Sequence, residues 1–166
     1  MGVEDADAFW LIDQDPDVMH YLSGGKLTTK QDIDEIVIPR ILSYRNESKG
    51  WGIWQVCDKN SQQYLGWILV RPMAFFTDNV NLDDIELGWR FFKNTWRKGY
   101  ATEAAIAVTN AIANQTKAKF VSALAVEENI GSVGVMKKIG MAFINKSLHK
   151  DPLGDMVLVH YQMPVR

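Results

Sequence analysis

Cysteine and histidine are scarce in this sequence. Cys57 is the only cysteine among 166 residues, so the chain can form neither an internal disulfide nor a cysteine-based zinc site. The three histidines are His20, His149 and His160, and no spacing of histidines and carboxylates is typical of a metal centre. We therefore expect no bound metal. Cys57 is interpreted as a core residue of a strand rather than a nucleophile, and each histidine as a surface or hydrogen-bonded core residue.

Long apolar runs and a strong charge of either sign are also absent. No segment approaches the ~20 apolar residues of a membrane span, and the acidic residues 1–5 lack the apolar region of a signal peptide. A formal net charge of −2 argues against a general nucleic-acid binder. Together with the single cysteine, these features predict a cytoplasmic protein with neither a membrane nor a nucleic acid as its direct partner.

What is present is the composition of a globular domain. Hydrophobic residues make up 47% of the chain and charged residues 23%, which is ordinary for a protein with an apolar core. A length of 166 residues suits one domain, so residues 1–166 are predicted to form a single domain.

Residues 84–113 predict a strand, a basic turn and a helix. The first part alternates apolar residues with Glu86, Gly88 and Arg90, and this period of two indicates a strand. The last part is rich in alanine, with small residues on one helical face. Between them lie three cations and a glycine: Lys93, Arg97, Lys98 and Gly99.

That turn has two interpretations. The amides at the start of a helix lack intrahelical partners, so a glycine-bearing turn beside cations is suited to bind phosphate. The alternative is a surface turn with solvated charges. Neither the Walker pattern nor the Gly-x-Gly-x-x-Gly fingerprint is present, which disfavours a phosphate-loop nucleotide enzyme.

The order of the remaining elements predicts the fold class. Helices are expected at 5–12, 16–22 and 29–44, with a kink or break at Pro39, and a further helix at 129–139. Strands are expected at 51–56, 64–70, 119–126, 141–146 and 156–163, and a long loop at 72–83. Helices, an antiparallel meander, a β-α-β unit, a helix and two strands predict an α/β fold with a mixed, mostly antiparallel sheet.

Three segments in register resemble a known family. Residues 97–101 resemble the Arg/Gln-x-x-Gly-x-Gly/Ala motif of the GNAT superfamily of acyl-CoA N-acyltransferases. Residues 96–104, 15–22 and 129–141 are most similar to its ribosomal-protein-alanine acetyltransferase branch, and the resemblance covers most of the chain. It implies a GNAT-like twisted sheet flanked by helices. That branch usually opens with a strand before the equivalent of residues 5–9, so the first edge strand is expected to be short or missing. An uncovered edge can pair with a second copy, which makes a homodimer a hypothesis.

The resemblance implies acetyl-CoA as the acyl donor and names its binding residues. The pyrophosphate is expected at the turn and the pantetheine arm beside Gly88, in a gap between neighbouring strands. The alternative for Gly88 is a bulge that serves only packing, and Asn129 either contacts CoA, caps its helix or does both. The expected cofactor-binding residues are Leu87, Gly88, Trp89, Arg97, Lys98, Gly99, Tyr100, Ala101, Thr102, Asn129 and Ser132.

Amine acetylation needs a proton acceptor, because amines are largely protonated at neutral pH. Glu86 alternates along its strand with the residues that are expected to line the pantetheine gap, and it is predicted as the general base. The alternative is a solvated carboxylate on the strand. Many relatives carry a tyrosine as general acid at the position of Met136, which cannot donate a proton. Ser132 is the predicted substitute, or else only a polar residue at a helix start.

The predicted function is therefore transfer of an acetyl group from acetyl-CoA to a primary amine by direct attack in a ternary complex. The acceptor is either a protein N-terminus or a small amine, held near the variable helices and the 72–83 loop with Phe75 and Phe76. The alternative is a non-catalytic acyl-CoA-binding module, which the methionine at position 136 keeps open.

Overall fold

The computed structural model describes residues 1–165, which form six helical segments and six strands. The helices are α1 (Ala6–Ile12), α2 (Pro16–Ser23), α3 (Lys30–Asp32), α4 (Ile38–Tyr44), α5 (Tyr100–Gln115) and α6 (Ile130–Lys138). The strands are β1 (Gly52–Cys57), β2 (Tyr64–Met73), β3 (Asn81–Phe91), β4 (Phe120–Ala125), β5 (Ala142–His149) and β6 (Met156–Pro164). Single 3-10 turns lie at Val3–Asp5, Glu47–Lys49 and Lys93–Thr95.

The six strands form one mixed sheet in the order β1-β2-β3-β4-β6-β5. Strands β3 and β4 are parallel, and helix α5 connects them, whereas β6 pairs antiparallel with both β4 and β5. The predicted α/β fold with a mostly antiparallel sheet is confirmed. Within residues 1–165 no strand precedes α1, and the Met1 ammonium donates a hydrogen bond to the Ile53 carbonyl of β1 at 2.7 Å.

The chain groups into two compact units. The first comprises Met1–Leu69 and Trp89–Ala101, and the second Val70–Gly88 together with the chain from Thr102 onward. The first unit has an apolar core supplied by α1, α2, the 30–44 helix and β1, with Phe9, Ile12, Met19, Ile33, Ile41 and Ile53 buried. In the second unit the buried apolar residues include Ile85, Leu87, Ala105, Val121, Ala123, Met136 and Val159.

Pro39 produces a π-helical segment rather than a break. Thr29 caps the helix, because its side chain accepts from the Asp32 amide while Asp32 accepts from the Thr29 amide. Residues Ile33–Val37 are π-helical, and the Ile38 amide donates to the Ile33 carbonyl five residues earlier. The wider turn accommodates the proline, which lacks a donor and crowds the carbonyl four residues before it.

Two local predictions differ from the structure. The loop predicted at 72–83 is shorter, because β2 continues through Pro72 to Met73 and β3 begins at Asn81. Cys57 ends strand β1 and is exposed, so its interpretation as a core residue is wrong. Across the described residues, no helix has the length and apolarity needed to cross a membrane.

Gly66 allows two strands of the first unit to approach closely. A Cβ at this position would lie 2.3 Å from the Arg90 carbonyl oxygen and 2.8 Å from the Phe91 Cα. The neighbouring Phe92 amide donates to the Leu65 carbonyl at 3.1 Å, so backbone pairing fixes this approach. Any larger residue must therefore push backbone atoms apart.

We expect Gly66→Ala to lower the free energy of unfolding by about 3 kcal/mol, because the added methyl group overlaps fixed backbone atoms. Chemical denaturation of the purified variant measures this loss. Gly134→Ala in α6 is the matched control, since its Cβ would meet no atom within 4 Å. That change should instead stabilise the helix by up to about 1 kcal/mol. Equal stability of the two variants would contradict the close approach.

Candidate functional site

The basic turn before α5 is fixed by bonds to the end of β3. The Trp96 indole N–H donates to the Phe91 carbonyl at 2.9 Å, and the Thr95 hydroxyl donates to the Phe92 carbonyl at 2.6 Å. A 3-10 turn at Lys93–Thr95 lies between these residues. The chain therefore leaves the strand along a defined path and enters α5 at Tyr100.

The backbone of this turn alternates in the sign of φ, as the backbone of an anion-binding nest does. Arg97 has φ +62° and Gly99 has φ +90°, whereas Lys98 between them does not have a positive φ. Such alternation turns successive amides toward one side, where they can bind an anion. Arg97, Lys98 and Gly99 are exposed, and a Cβ on Gly99 would meet no atom within 4 Å. The turn is therefore open rather than filled by side chains.

Lys93 differs from its two basic neighbours. Its ammonium forms an ion pair with Asp17 of α2, and this pair raises the pKa of Lys93 through a side-chain hydrogen bond and charge attraction. Because Lys93 is paired with Asp17, the cations of the turn that are suited to bind a phosphate are Arg97 and Lys98.

In the second unit, the parallel strands β3 and β4 stop pairing early. The last pair is Glu86 with Ser122, after which β3 continues through Leu87 and Gly88. Among the described residues no further pair joins the two strands, although β4 remains paired with β6 through Ala125. The strands therefore part where Gly88 follows Leu87, and backbone groups of β3 on the β4 side have no strand partner there.

Glu86, at the last pair between β3 and β4, forms an ion pair with Arg71. Arg71 Nε donates to Glu86 Oε2 and Arg71 Nη2 donates to Glu86 Oε1, both at 2.9 Å. Both side chains are about nine-tenths buried, so this is a bidentate ion pair largely removed from water.

A second polar cluster joins β3, β4 and β6. The Ser122 hydroxyl donates to Asp84 Oδ2 at 2.8 Å, and Gln162 Nε2 donates to the same oxygen at 2.8 Å. The His160 Nε2 atom lies 2.8 Å from Ser122 Oγ. Ser122 and Asp84 are buried, and Asp84 Oδ1 has no hydrogen-bond partner among residues 1–165.

Burial lowers the pKa of the His160 imidazole, and this effect outweighs the opposing charges of Asp84 and Glu86, while His149 lowers the pKa further. A lowered pKa keeps a half-buried imidazole neutral at neutral pH. The histidine is therefore chemically able to accept a proton.

A narrow recess lies beside Glu86 in the same unit. Two aromatic rings of the β2–β3 loop, Phe75 and Phe76, contact each other edge to face with centroids 5.2 Å apart. The Arg71 guanidinium lies 5.1 Å from the centroid of the Phe76 ring. The lining of the recess combines both charges with apolar surface: Arg71, Ala74, Phe75, Phe76, Thr77, Glu86, His149, Lys150 and Asp151.

Helix α6 begins with the predicted asparagine. The Asn129 side-chain oxygen accepts from the Ser132 amide at 3.0 Å and caps the helix. Capping uses the oxygen only, so the amide nitrogen can still donate to a ligand. Ser132 is half-buried, whereas Met136 one turn later is completely buried.

Comparison with known proteins decides the family. A family model described as an acetyltransferase (GNAT) domain matches residues 1–142. This chain belongs to the GNAT acetyltransferase family. The predicted superfamily is thereby confirmed, and its assignment to the ribosomal-protein-alanine branch stays a prediction.

Two relatives and one solved structure are similar to this GNAT acetyltransferase. The uncharacterized protein YkkB of Bacillus subtilis (strain 168) is 34% identical over 149 residues, covering 89% of this chain and 80% of YkkB. The uncharacterized N-acetyltransferase YjdG of the same organism is 28% identical over 107 residues, covering 64% of this chain and 61% of YjdG. The crystal structure of aminoglycoside acetyltransferase AAC(6')-Ib in complex with coenzyme A has a TM-score of 0.76 at 14% identity, covering 99% of this chain and 91% of that chain. The last shows a shared fold.

The sequence-predicted residues fall into three local groups. Glu86, Leu87, Gly88 and Trp89 follow one another on β3, Arg97–Thr102 form the turn and the start of α5, and Asn129 and Ser132 form the cap of α6. Sequence reasoning missed Arg71 and Ser122. It interpreted Asp84 as an acidic neighbour that attracts a cation or ends a polar loop, and His160 as a surface or hydrogen-bonded core residue. Alternation along β3 gave the only available signal, because it places Asp84 and Glu86 on one face.

We expect Glu86→Gln to lower the free energy of unfolding by about 3 kcal/mol or more, because it leaves the buried Arg71 charge without its counter-charge. Thermal or urea unfolding at neutral pH measures the loss. The double variant Arg71→Met/Glu86→Leu should recover much of it, since no buried charge remains.

The control is the ion pair of Lys119 with Asp83, whose side chains are 65% and 55% exposed. Lys119→Met should change stability by no more than about 0.5 kcal/mol. A similar small effect for Glu86→Gln would contradict a desolvated ion pair.

Proposed function

We propose that this GNAT acetyltransferase transfers an acetyl group from acetyl-CoA to a primary amine by direct attack of the amine. The observation that carries the proposal is the end of pairing between β3 and β4 after Glu86 and Ser122. It leaves backbone donors and acceptors beside a carboxylate and a recess, where an amide-bearing arm and an amine can be bound.

The basic turn is proposed to hold the pyrophosphate of the acyl donor. Its amides lie in a nest, its two cations are exposed, and helix α5 adds the partial positive charge of its N-terminus. The bound coenzyme A of AAC(6')-Ib supports a coenzyme A ligand for this fold. The residues assigned here are Arg97, Lys98, Gly99, Tyr100, Ala101 and Thr102.

The parting strands are proposed to hold the pantetheine arm. Main-chain groups of Leu87, Gly88 and Trp89 offer strand-like hydrogen bonds to its amides, and Asn129 offers its side-chain nitrogen. Acetyl-CoA supplies an activated thioester. The hydroxyl of Ser132, in the first turn of α6, is proposed to donate to the departing thiolate.

The recess is proposed to bind the acceptor amine. Glu86 and Asp151 contribute negative charge to the lining, and the rings of Phe75 and Phe76 contribute apolar surface that favours an apolar substituent. Glu86 is predicted from the sequence as the general base, but its two oxygens already accept hydrogen bonds from Arg71. We assign it the role of orienting the amine through its charge. A protein N-terminus and a small amine both remain acceptor candidates.

We also propose a cytoplasmic location and assembly as a homodimer. An exposed, unpaired Cys57 suits the reducing cytoplasm. The outer edge of β1, which pairs with no further strand among the described residues, is proposed as the contact of a homodimer.

A second candidate function is a non-catalytic acyl-CoA-binding module. The buried Met136 favours it, because this position carries a proton-donating tyrosine in many relatives. The two functions differ in one observable, since a module binds acetyl-CoA without releasing its thiol.

We expect thiol release from acetyl-CoA in the presence of at least one primary amine. The screen uses a colorimetric thiol reagent, with peptides bearing free N-termini, polyamines, aminoglycosides and amino acids as acceptors. Mass spectrometry of the product should show addition of one acetyl group to nitrogen. Tight binding of acetyl-CoA with no release across this panel would favour the binding module.

We expect Arg97→Ala/Lys98→Ala to weaken coenzyme A binding by about 10-fold or more, because two cations next to the pyrophosphate are lost. Isothermal titration calorimetry at low and high salt measures the change, and the wild-type affinity should fall more steeply with salt. Lys59→Ala, in the exposed β1–β2 turn, is the control and should bind like wild type. Unchanged binding by the double variant would place the pyrophosphate elsewhere.

A further inference from the structure

We propose that His160 is the proton acceptor for the amine, and that Ser122 and Asp84 hold its ring in the tautomer that can accept. This inference rests on the proposed function and adds a catalytic group to it. The observation behind it is a chain of hydrogen bonds that runs from Asp84 through Ser122 to the imidazole of His160.

The hydrogen bonds determine which ring nitrogen carries the proton. Ser122 has a single hydroxyl proton, which is donated to Asp84 Oδ2. Its oxygen is then an acceptor, and Gln162 Nε2 already donates to it at 3.2 Å. His160 Nε2, 2.8 Å from the same oxygen, must therefore also donate. In a neutral imidazole the other nitrogen, Nδ1, is then unprotonated and can accept a proton.

The position of the ring fits this role. His160 pairs with Leu124, two residues beyond Ser122, so it lies alongside the part of β4 from which β3 has separated. Ser122 bonds to both His160 and Asp84, and Glu86 is paired with Ser122 in register, so these side chains share one face of the sheet. The ring is only half-buried, which allows an amine or a bridging water to reach it.

Glu86, on the same face, already accepts a hydrogen bond at each of its two oxygens. Its two oxygens are held by Arg71 in a buried bidentate pair, so a proton would displace an arginine N–H from one oxygen and remove the negative charge that strengthens the other bond. His160 loses no such pair when it is protonated. It becomes a cation beside two carboxylates, Asp84 and Glu86, which stabilise the product of proton transfer.

The groups that face the imidazole are Asp84 and Glu86 on β3, Ser122 on β4, His149 on β5 and Gln162 on its own strand. Burial and His149 favour the neutral ring, while the two carboxylates favour the cation. The imidazole of His160 is therefore neutral before the reaction, and the two carboxylates stabilise the imidazolium that forms when it accepts a proton.

The ammonium of the acceptor gives one proton to His160 Nδ1, directly or through one water. The free amine nitrogen forms the new C–N bond to the acetyl carbonyl carbon, and the C–S bond breaks with its electron pair on sulfur. The thiolate and the second nitrogen proton leave as thiol, and the imidazolium returns its proton to solvent. No oxidant, reductant or metal is consumed.

The first test is independent of activity. With only three histidines in the chain, the imidazole signals in 15N NMR can be assigned with His20→Gln, His149→Gln and His160→Gln. We expect His160 as the neutral Nε2–H tautomer at pH 7, and a mixture of tautomers in Ser122→Ala. An Nδ1–H tautomer, or a charged ring at pH 7, would overturn the proposal.

The second test is the pH dependence of acetyl transfer. We expect His160→Gln to lower kcat by about 100-fold or more. The variant should also lose the acidic limb of the pH profile, which is the decrease of kcat as the pH falls and His160 becomes protonated. His20→Gln, an exposed position on α2, should keep both the rate and the limb. Circular dichroism and acetyl-CoA affinity verify that the variant is folded.

The two proposals fail in different ways. If the wild type acetylates some amine and His160→Gln keeps the full rate and the acidic limb, His160 is not the acceptor, and the transferase stands. If the wild type acetylates no amine in the panel, the transferase proposal is overturned together with the catalytic role of His160.

Discussion

The separation of β3 from β4 is the constraint on which the candidate site depends. Parallel strands normally bond along their whole shared length, because an unpaired amide or carbonyl inside a sheet is costly. Here the ladder ends at Glu86 and Ser122, although both strands continue. The unpaired groups must be satisfied by water or by a ligand that can pair like a strand. A pantetheine arm, with its two amides, has the required chemistry, which connects the topology to acyl-CoA binding.

The side chains around that point form a polar face that an apolar core would not need. Arg71, Glu86, Asp84 and Ser122 are all buried, and each is stabilised by another member of the group. Removing one member leaves a charge or a donor unpaired, which costs more than the intact group contributes. Apolar residues of similar volume would give comparable stability. The polar face is therefore better explained by chemistry at the site than by the stability of the fold.

The sequence predicted the order of helices and strands, because periodicity and turn residues act locally. The GNAT motif at Arg97–Ala101 added the family, which the comparison confirmed. The polar face was not predictable in the same way. Its members come from β2, β3 and β4. Strand β6, which lies between β4 and β5, brings His160 next to Ser122 across 38 residues of chain. Cys57 was misplaced because strand alternation alone does not reveal which face of β1 is covered.

The buried Met136 and the half-buried His160 have a common physical explanation. A thiolate with a reference pKa of about 8.5 is a good leaving group, so the reaction needs little help from a general acid. An amine with a reference pKa between about 8 and about 10.4 is mostly protonated at neutral pH, so it depends strongly on a proton acceptor. With a methionine at position 136 and a neutral histidine tied to Ser122 and Asp84, the proposed catalytic group serves the more demanding proton transfer. A methionine at the position of the general acid is thus compatible with an enzyme, provided that the acceptor network is intact.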